Sequence, residues 1–238
     1  MTTRDQVARK RAGLVLLVAM SVFAGCVRLG PPRPEVAYQA DVRIAVVGRD
    51  GEARAVEQLT EFCMGGLRRR QATIEGVDVV AIDRPDLNVS WLLDPEAKVF
   101  QEFRLKSHVI DAFVPPDPFG PRVRSRFRKT GMDEVGGRAA LRYEVEGDRI
   151  QGLAWTSQDG VPIRFEGQMA VGGSELAVEV EYGEVQRGLQ ALYLFAIPPN
   201  YEGFAQRTQP VRSRRDAGIE HAIRRLRDER EWRPSRIY

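Results

Sequence analysis

Apolar and polar residues alternate along much of the chain, which is the pattern of β-strands that bury one face. The alternation is clearest where apolar side chains take every second position, as in Tyr38 to Val46, Leu141 to Val145 and Leu176 to Tyr182. Turn sequences such as Asp50-Gly51 and Gly136-Gly137 separate these stretches. We predict an antiparallel sheet of roughly ten strands with one dry face, and a twisted sheet of that size tends to curl.

Helical patterns are few. Ser107 to Val114 predicts a short helix, and the proline-rich residues 115–125 that follow predict an exposed loop. Asp216 to Trp232 predicts a single long helix with a narrow apolar stripe. These helices are too small to cover a large dry face. The face therefore requires closure into a barrel, a second sheet, a partner or an apolar ligand.

Large, adaptable side chains occupy the positions assigned to the dry face in the central strands. Such side chains are suited to lining a cavity for a lipid. The alternative is that they pack against one another and against the helices. The candidate lining residues are Trp91, Leu93, Leu153, Trp155, Ile163, Phe165 and Met169.

The N-terminus has the pattern of an export signal. Four basic residues precede an apolar run over residues 12–24, which is short for a bilayer span. Val22-Phe23-Ala24-Gly25-Cys26 then resembles the lipobox of bacterial lipoproteins, with Phe23 where leucine is usual. The resemblance implies cleavage before Cys26, acylation of its thiol and a firm membrane anchor. Val27, where aspartate favours inner-membrane retention, implies the outer membrane, facing the periplasm. A plain secretory signal and an N-terminal transmembrane helix are the alternatives.

Charge is distributed unevenly along the chain. The net charge is +3, but residues 1–25 carry +3 and residues 207–238 carry +5, which leaves −5 on residues 26–206. A nucleic-acid-binding protein would carry its positive patch on the folded body, so we predict no such partner. The arginine-rich tail would dock a partner or anionic lipid headgroups, or form a solvated helix with internal ion pairs.

The sequence contains little catalytic chemistry. Its two histidines, His108 and His221, lie in unrelated segments, no metal-ligand spacing occurs and no Gly-x-Ser-x-Gly motif is present. Cys63 has no partner for a disulfide if Cys26 is acylated, and it suits a small core position. We predict no enzyme activity and no cofactor.

Several segments in order resemble the lipoprotein-sorting carrier and receptor (Lol-type) superfamily of bacterial envelopes, nearest to its uncharacterised members. They are Ile82 to Asp86, Val89 to Lys98, Arg142 to Gly147, Trp155 to Arg164 and Leu194 to Tyr201. The resemblance covers about residues 37–204. It implies a mainly β (α+β) fold: a curved, incomplete antiparallel β-barrel with a small helical plug, an apolar cavity and, here, a C-terminal helix.

The predicted organisation is a lipoprotein signal peptide (1–25), a lipidated cysteine with a proline-rich tether (26–36), a half-open β-barrel domain (37–204) and a basic tail with a helix (205–238). Two functions remain open. The curved sheet binds or carries a lipid, an acyl chain, a lipoprotein or another apolar ligand. Alternatively, the core is filled and the protein is a structural or interaction lipoprotein that docks through its tail. The sequence predicts no oligomeric state.

Overall fold

The computed structural model of the chain describes residues 27–47, 52–74, 76–107, 110–111, 114, 117–171 and 174–204. The signal segment with Cys26, and the basic tail with its predicted helix, lie outside these residues. Their roles therefore stay predictions.

One sheet of thirteen strands forms the domain. The strands are β1 (Val27–Leu29), β2 (Tyr38–Val47), β3 (Ala53–Met64), β4 (Leu67–Ile74), β5 (Val77–Arg84), β6 (Val89–Asp94), β7 (Val99–Arg104), β8 (Ser125–Val135), β9 (Arg138–Gly147), β10 (Ile150–Thr156), β11 (Pro162–Val171), β12 (Ser174–Arg187) and β13 (Glu202–Gly203). The order in the sheet is β1-β8-β9-β10-β11-β12-β2-β3-β4-β5-β6-β7-β13.

The sheet is open. Every pair of neighbours is antiparallel except β13, which adds two residues parallel to β7. The outermost strands β1 and β13 do not pair with each other. A 3₁₀ helix, Leu192–Phe195, follows β12. The predicted fold class, a mainly β protein with a curved and incomplete antiparallel barrel, is confirmed.

The two faces of the sheet differ in what covers them. We call inner the face that carries Tyr38, Val42 and Ile44 of β2, and outer the opposite face. Inner side chains of β2, β3 and β8 to β12 form the largest apolar cluster, in which Phe127, Phe165 and Val180 are fully or almost fully buried. On the outer face, Leu194 and Phe195 pack on β4 to β6 with a second cluster that includes Ile82, Trp91 and Leu93.

The segment between β7 and β8 covers the inner face. We call its described residues, 105–107, 110–111, 114 and 117–124, the plug. Ile110 and Asp111 have 3₁₀ conformation, where a short helix was predicted. The exposed loop predicted for residues 115–125 is wrong for its described part, because Asp117, Phe119 and Arg122 are each no more than 6% exposed. They are buried because the sheet supplies both an apolar surface and partners for their charges.

The segment that leads into β2 is attached to the domain. Val27 to Leu29 pair with Phe127 and its neighbours on β8, and the Glu35 amide donates to the Asp159 carbonyl. The proline-rich residues between β1 and β2 have no regular secondary structure, and the Gly30 and Glu35 amides at either end donate to the Ser125 and Asp159 carbonyls. None of the described helices is long and apolar enough to cross a bilayer.

Candidate functional site

The candidate site is the interface between the plug and the inner face. On its apolar side, Phe119 of the plug inserts between two aromatic rings of the sheet. Its ring centroid lies 5.7 Å from that of Tyr182, edge to face, and 6.1 Å from that of Phe127. Such pairs contribute about 0.5–1.5 kcal/mol beyond burial alone. Phe119 therefore covers the apolar part of this surface.

On its other side the interface is charged. Arg68 of β4 places Nη1 2.8 Å from Oε1 of Glu61 on β3 and 2.7 Å from Oδ2 of Asp117 in the plug. The Tyr38 hydroxyl donates to the same Glu61 oxygen at 2.6 Å, and the Tyr182 hydroxyl donates to Asp117 Oδ1 at 3.2 Å. All five side chains are buried, so Arg68 links the sheet to the plug in a dry environment.

A second ionic contact lies nearby. Arg122 of the plug donates from Nη1 to Asp111 at 2.7 Å and pairs through Nε with Asp83 of β5 at 3.3 Å. Asp111 is also bound by Arg149, which follows β9, at 2.8 Å. The Ser90 hydroxyl on β6 donates to Asp83 at 2.6 Å. Two separate ion-pair groups therefore hold the plug on the sheet.

Burial changes the ionisation of this cluster. Desolvation raises the pKa of Glu61 to about 7, although Arg68 and the Tyr38 hydroxyl act against the shift. Burial likewise raises the pKa of Asp83 above its usual value. The pKa values of Tyr38 and Tyr182 are raised by burial too, so both hydroxyls stay neutral donors. Glu61 thus changes charge near neutral pH.

Little free space remains beneath the plug. The cavity between Asp117, Pro118 and the inner side chains of β2, β3 and β12 has a volume of about 10 Å³. That is the space of about one water molecule. This cavity is too small for an acyl chain.

The seven predicted lining residues do not share one face. Phe165 and Met169 lie in the inner cluster, whereas Trp91 and Leu93 pack on the outer face against Phe195. The other three form a small outer cluster with Ala140: Leu153, Trp155 and Ile163. An irregularity in the β10–β11 register next to Trp155 separates Ile163 from Phe165, which alternation alone had put together. Ligand contact by any of them stays a prediction.

The outer face carries a larger, polar depression. Its volume is about 890 Å³, and it lies over β2 to β5, between β12 on one side and Tyr201 on the other. We call it the trough. Its polar lining side chains are Asp41, Arg43, Gln58, Thr60, Arg69, Gln71, Thr73, Asp78, Glu181 and Tyr201. Its chemistry suits a charged segment better than a hydrocarbon chain.

The buried charges are the residues that sequence patterns did not single out. Their signal was nevertheless present, because Glu61 lies between Leu59 and Cys63 at buried positions of β3, and Arg70 stands two residues before Ala72 on β4. Charges on the dry positions of neighbouring strands predict a buried ion-pair network. Among the described residues, no set of three or more His, Cys, Asp or Glu side chains is placed to hold a metal ion.

Comparison with known proteins gives structural similarity only. No protein-family model and no curated protein matches the chain. An uncharacterised conserved protein from Thermus thermophilus has a TM-score of 0.45 at 12% identity, over 71% of this chain and 90% of that chain. A LolA superfamily protein from Nitrosomonas europaea has a TM-score of 0.40 at 11% identity, over 69% and 92%.

A third similar structure is a domain assigned to outer-membrane lipoprotein sorting, from Vibrio parahaemolyticus. Its TM-score is 0.35 at 10% identity, over 67% of this chain and 89% of that chain. The superfamily named from the sequence motifs is therefore among the proteins of similar structure. At these identities and TM-scores, the similarities identify neither a ligand nor a partner.

The ionisation of Glu61 predicts how stability depends on pH. The pKa of Glu61 is about 7 in the folded chain, against an ordinary value of 4.5 that applies to the unfolded chain. Between pH 4.5 and pH 7 the folded chain therefore holds a proton on Glu61 that the unfolded chain has lost. The contribution of Glu61 to the free energy of unfolding is fully present below pH 4.5 and is lost as the pH rises through 7. Asp83 acts in the same direction, whereas the lowered pKa values of Asp86 and Asp159 act only in more acid solution.

We therefore expect the wild-type chain to be less stable at pH 8 than at pH 5, and Glu61→Gln to show a smaller difference. Urea unfolding at the two pH values measures both. Glu61 is faced by Arg68 and Arg70 of β4, Tyr38 of β2 and Asp117 of the plug, and the glutamine can keep the Tyr38 hydrogen bond. An unchanged pH difference in Glu61→Gln would show that Glu61 stays ionised throughout.

Proposed function

We propose that this chain is a lipid-anchored protein of the bacterial cell envelope, whose inner sheet face binds an acyl chain or another apolar ligand when the plug moves aside. Cys26 is the acylated residue, and the outer membrane, facing the periplasm, is the proposed location. The role is binding or carrying, without enzyme activity. One observation carries the proposal: where the structure describes the cover of the apolar inner face, that cover has neither a strand nor an α-helix.

The chemistry of the plug contacts supports a cover that can be released. Ion pairs in a dry interface gain little over solvation, because the cost of removing two charges from water offsets their attraction. Within the described residues, Arg122 Nη2 is buried without a hydrogen-bond partner, so the hydrogen-bonding capacity of the Arg122 guanidinium is only partly used. A plug held by such contacts has a smaller docking free energy than an apolar segment of similar size.

Displacement of Phe119 would expose part of the apolar cluster on the inner face. Phe127 and Tyr182 pack on the Phe119 ring, and Phe165 and Val180 belong to the same cluster. An acyl chain that replaced Phe119 would restore this burial. Each methylene removed from water contributes about 0.8 kcal/mol, so a few methylenes would offset the loss of the phenylalanine contacts.

A filled core is the second candidate, and a different observation favours it. The cavity between Asp117, Pro118 and the sheet is about 10 Å³, which leaves no room for a ligand at this place. In that case the protein acts through its surfaces as a structural or interaction lipoprotein. The two candidates differ in whether the plug separates from the sheet without general unfolding.

Mass spectrometry of the full chain, produced in a bacterial host with its own signal, tests the proposal. We expect the wild-type protein to begin at Cys26 with a covalent diacylglycerol, and Cys26→Ala to lose that mass. Cys63→Ala is the matched control and keeps it, because Cys63 is buried. Under native conditions, Cys26→Ala should retain a non-covalent lipid. Equal covalent masses in wild type and Cys26→Ala would refute the anchor, and the absence of bound lipid would favour the filled core.

A further inference from the structure

The plug presents an anionic group and an apolar ring to the sheet, two residues apart in sequence. Asp117 places Oδ2 2.7 Å from Arg68 Nη1 and accepts at Oδ1 from the Tyr182 hydroxyl at 3.2 Å. The third partner of this carboxylate, the Phe119 amide at 2.8 Å, belongs to the plug itself. The Phe119 ring packs edge to face on the ring of the same tyrosine. Tyr182 therefore contacts both parts of the plug, the carboxylate through its hydroxyl and the apolar ring through its own ring.

The charges at this interface are divided unequally between the plug and the sheet. Among the described residues, the buried charges of the plug are two acids and one base: Asp111, Asp117 and Arg122. The sheet and its turns bring three bases and two acids to the same cluster: Arg68, Arg70, Arg149, Glu61 and Asp83. With every group ionised, the plug side therefore carries −1 and the sheet side +1. Protonation of Glu61 would make the sheet side more positive, so the sign of its charge does not depend on this group.

A neutral hydrocarbon could not replace the plug without leaving this positive charge unpaired. An acyl chain on the apolar cluster would again exclude water from Arg68, and a buried charge that has lost its partner is strongly unfavourable. We propose that the ligand of the inner face is a fatty carboxylate, whose head binds Arg68 and the Tyr182 hydroxyl in place of Asp117 and whose chain covers the apolar cluster in place of Phe119. This inference rests on the proposed function and narrows the ligand of that function to an anionic class.

The positions of the two donors suit a carboxylate better than a single acceptor atom. Arg68 reaches the site from β4 and Tyr182 from β12, and they bind different oxygens of Asp117. The head of a fatty acid has the same two oxygens as an aspartate side chain, and hydrogen bonds to an ionised group are about twice as strong as those between neutral groups. An ester or alcohol of equal chain length would bury the same hydrocarbon. It lacks the charge, however, and would leave Arg68 with Glu61 alone.

Fluorescence titration of the delipidated full chain with cis-parinaric acid and with its methyl ester tests the proposal. Cys26→Ala is present throughout, so that the chain carries no acyl groups of its own, and the acid is ionised at pH 8. We expect the dissociation constant of the acid to be at least about tenfold lower than that of the ester, because the ester lacks hydrogen bonds to an ionised head. Arg68→Met should abolish this preference. Tyr182→Phe keeps the aromatic ring, removes only the hydroxyl and should reduce the preference several-fold.

Arg43→Met is the matched control, because Arg43 pairs with Glu181 on the outer face and should leave the preference unchanged. Should Arg68→Met fail to fold, Tyr182→Phe alone gives the comparison with this control. Equal affinities of the chain for the acid and the ester would overturn the proposal and leave a carrier of neutral apolar ligands. A preference that neither Tyr182→Phe nor Arg43→Met alters would overturn it as well. Binding of neither probe would overturn it together with ligand binding at the inner face.

Discussion

Arg68→Met is expected to lower the free energy of unfolding by about 3–5 kcal/mol. The substitution keeps an unbranched side chain of similar length but leaves the Glu61 and Asp117 carboxylates buried without the guanidinium that lies 2.8 and 2.7 Å from them. Removing one partner of a buried ion pair is far more costly than the pair itself is favourable, because the remaining charge stays desolvated. Urea unfolding at pH 8, where Glu61 is mostly ionised, measures the loss.

Arg43→Met is the matched control. Arg43 also pairs with a glutamate, Glu181, at 3.4 Å, but both side chains are more than 40% exposed. An exposed pair of this kind contributes less than about 1 kcal/mol. A loss for Arg68→Met no greater than that for Arg43→Met would mean that the cluster around Asp117 is solvated in solution and does not hold the plug.

Phe165→Ala and Phe119→Ala are expected to differ, although both side chains are almost fully buried on the same apolar cluster. Phe165 belongs to β11, and its truncation leaves a cavity within the sheet core that costs about 3–5 kcal/mol. Phe119 belongs to the plug. If the plug can leave while the sheet stays folded, truncation of Phe119 costs no more than the docking free energy of the plug, and therefore less than truncation of Phe165.

Urea unfolding of the two variants at one pH gives the comparison, and equal slopes with denaturant would confirm that the same state unfolds. Val56→Ala, at an exposed position of β3, is the control for a change on the sheet surface and should have little effect. Equal losses of about 4 kcal/mol for Phe119→Ala and Phe165→Ala would show that the plug is part of one cooperative core. That result would favour the interaction lipoprotein over the carrier.

The alternation of side chains predicted the sheet because burial of one face imposes it on each strand. It predicted β2 and β12 well, since Tyr38, Ala40, Val42 and Ile44 of β2 and Val178, Val180 and Tyr182 of β12 are buried at every second position. In β9 the alternation is less complete, because only Ala140 and Val145 are buried. It did not predict β1, β8 and β13. β1 and β13 have only three and two residues, too few for a period, and β8 carries charged residues on one face beside Phe127 and Ser125.

The candidate site was harder to predict than the fold. Which face a residue takes depends on the register between strands, and a single irregularity next to Trp155 moved Ile163 away from Phe165. Residues 115–125 were predicted as an exposed loop because proline and charge are typical of loops, and Ser107 to Val114 were predicted as a short helix. Asp117 and Arg122 are buried because residues far apart in sequence, Arg68 and Asp83, neutralise them. Pairing between residues this far apart cannot be predicted from the local sequence around either of them.

Native-state hydrogen exchange of the full chain tests most directly whether the plug is a separable cover. The Phe119 and Gly120 amides donate to Asp117 within the plug, whereas the amides of β2 and β12 belong to the sheet ladder. We predict that the two plug amides exchange through an opening several kcal/mol easier than global unfolding, and that Asp117→Asn makes this opening easier still. Exchange of the plug and the sheet amides with one and the same free energy, that of global unfolding, would contradict the account.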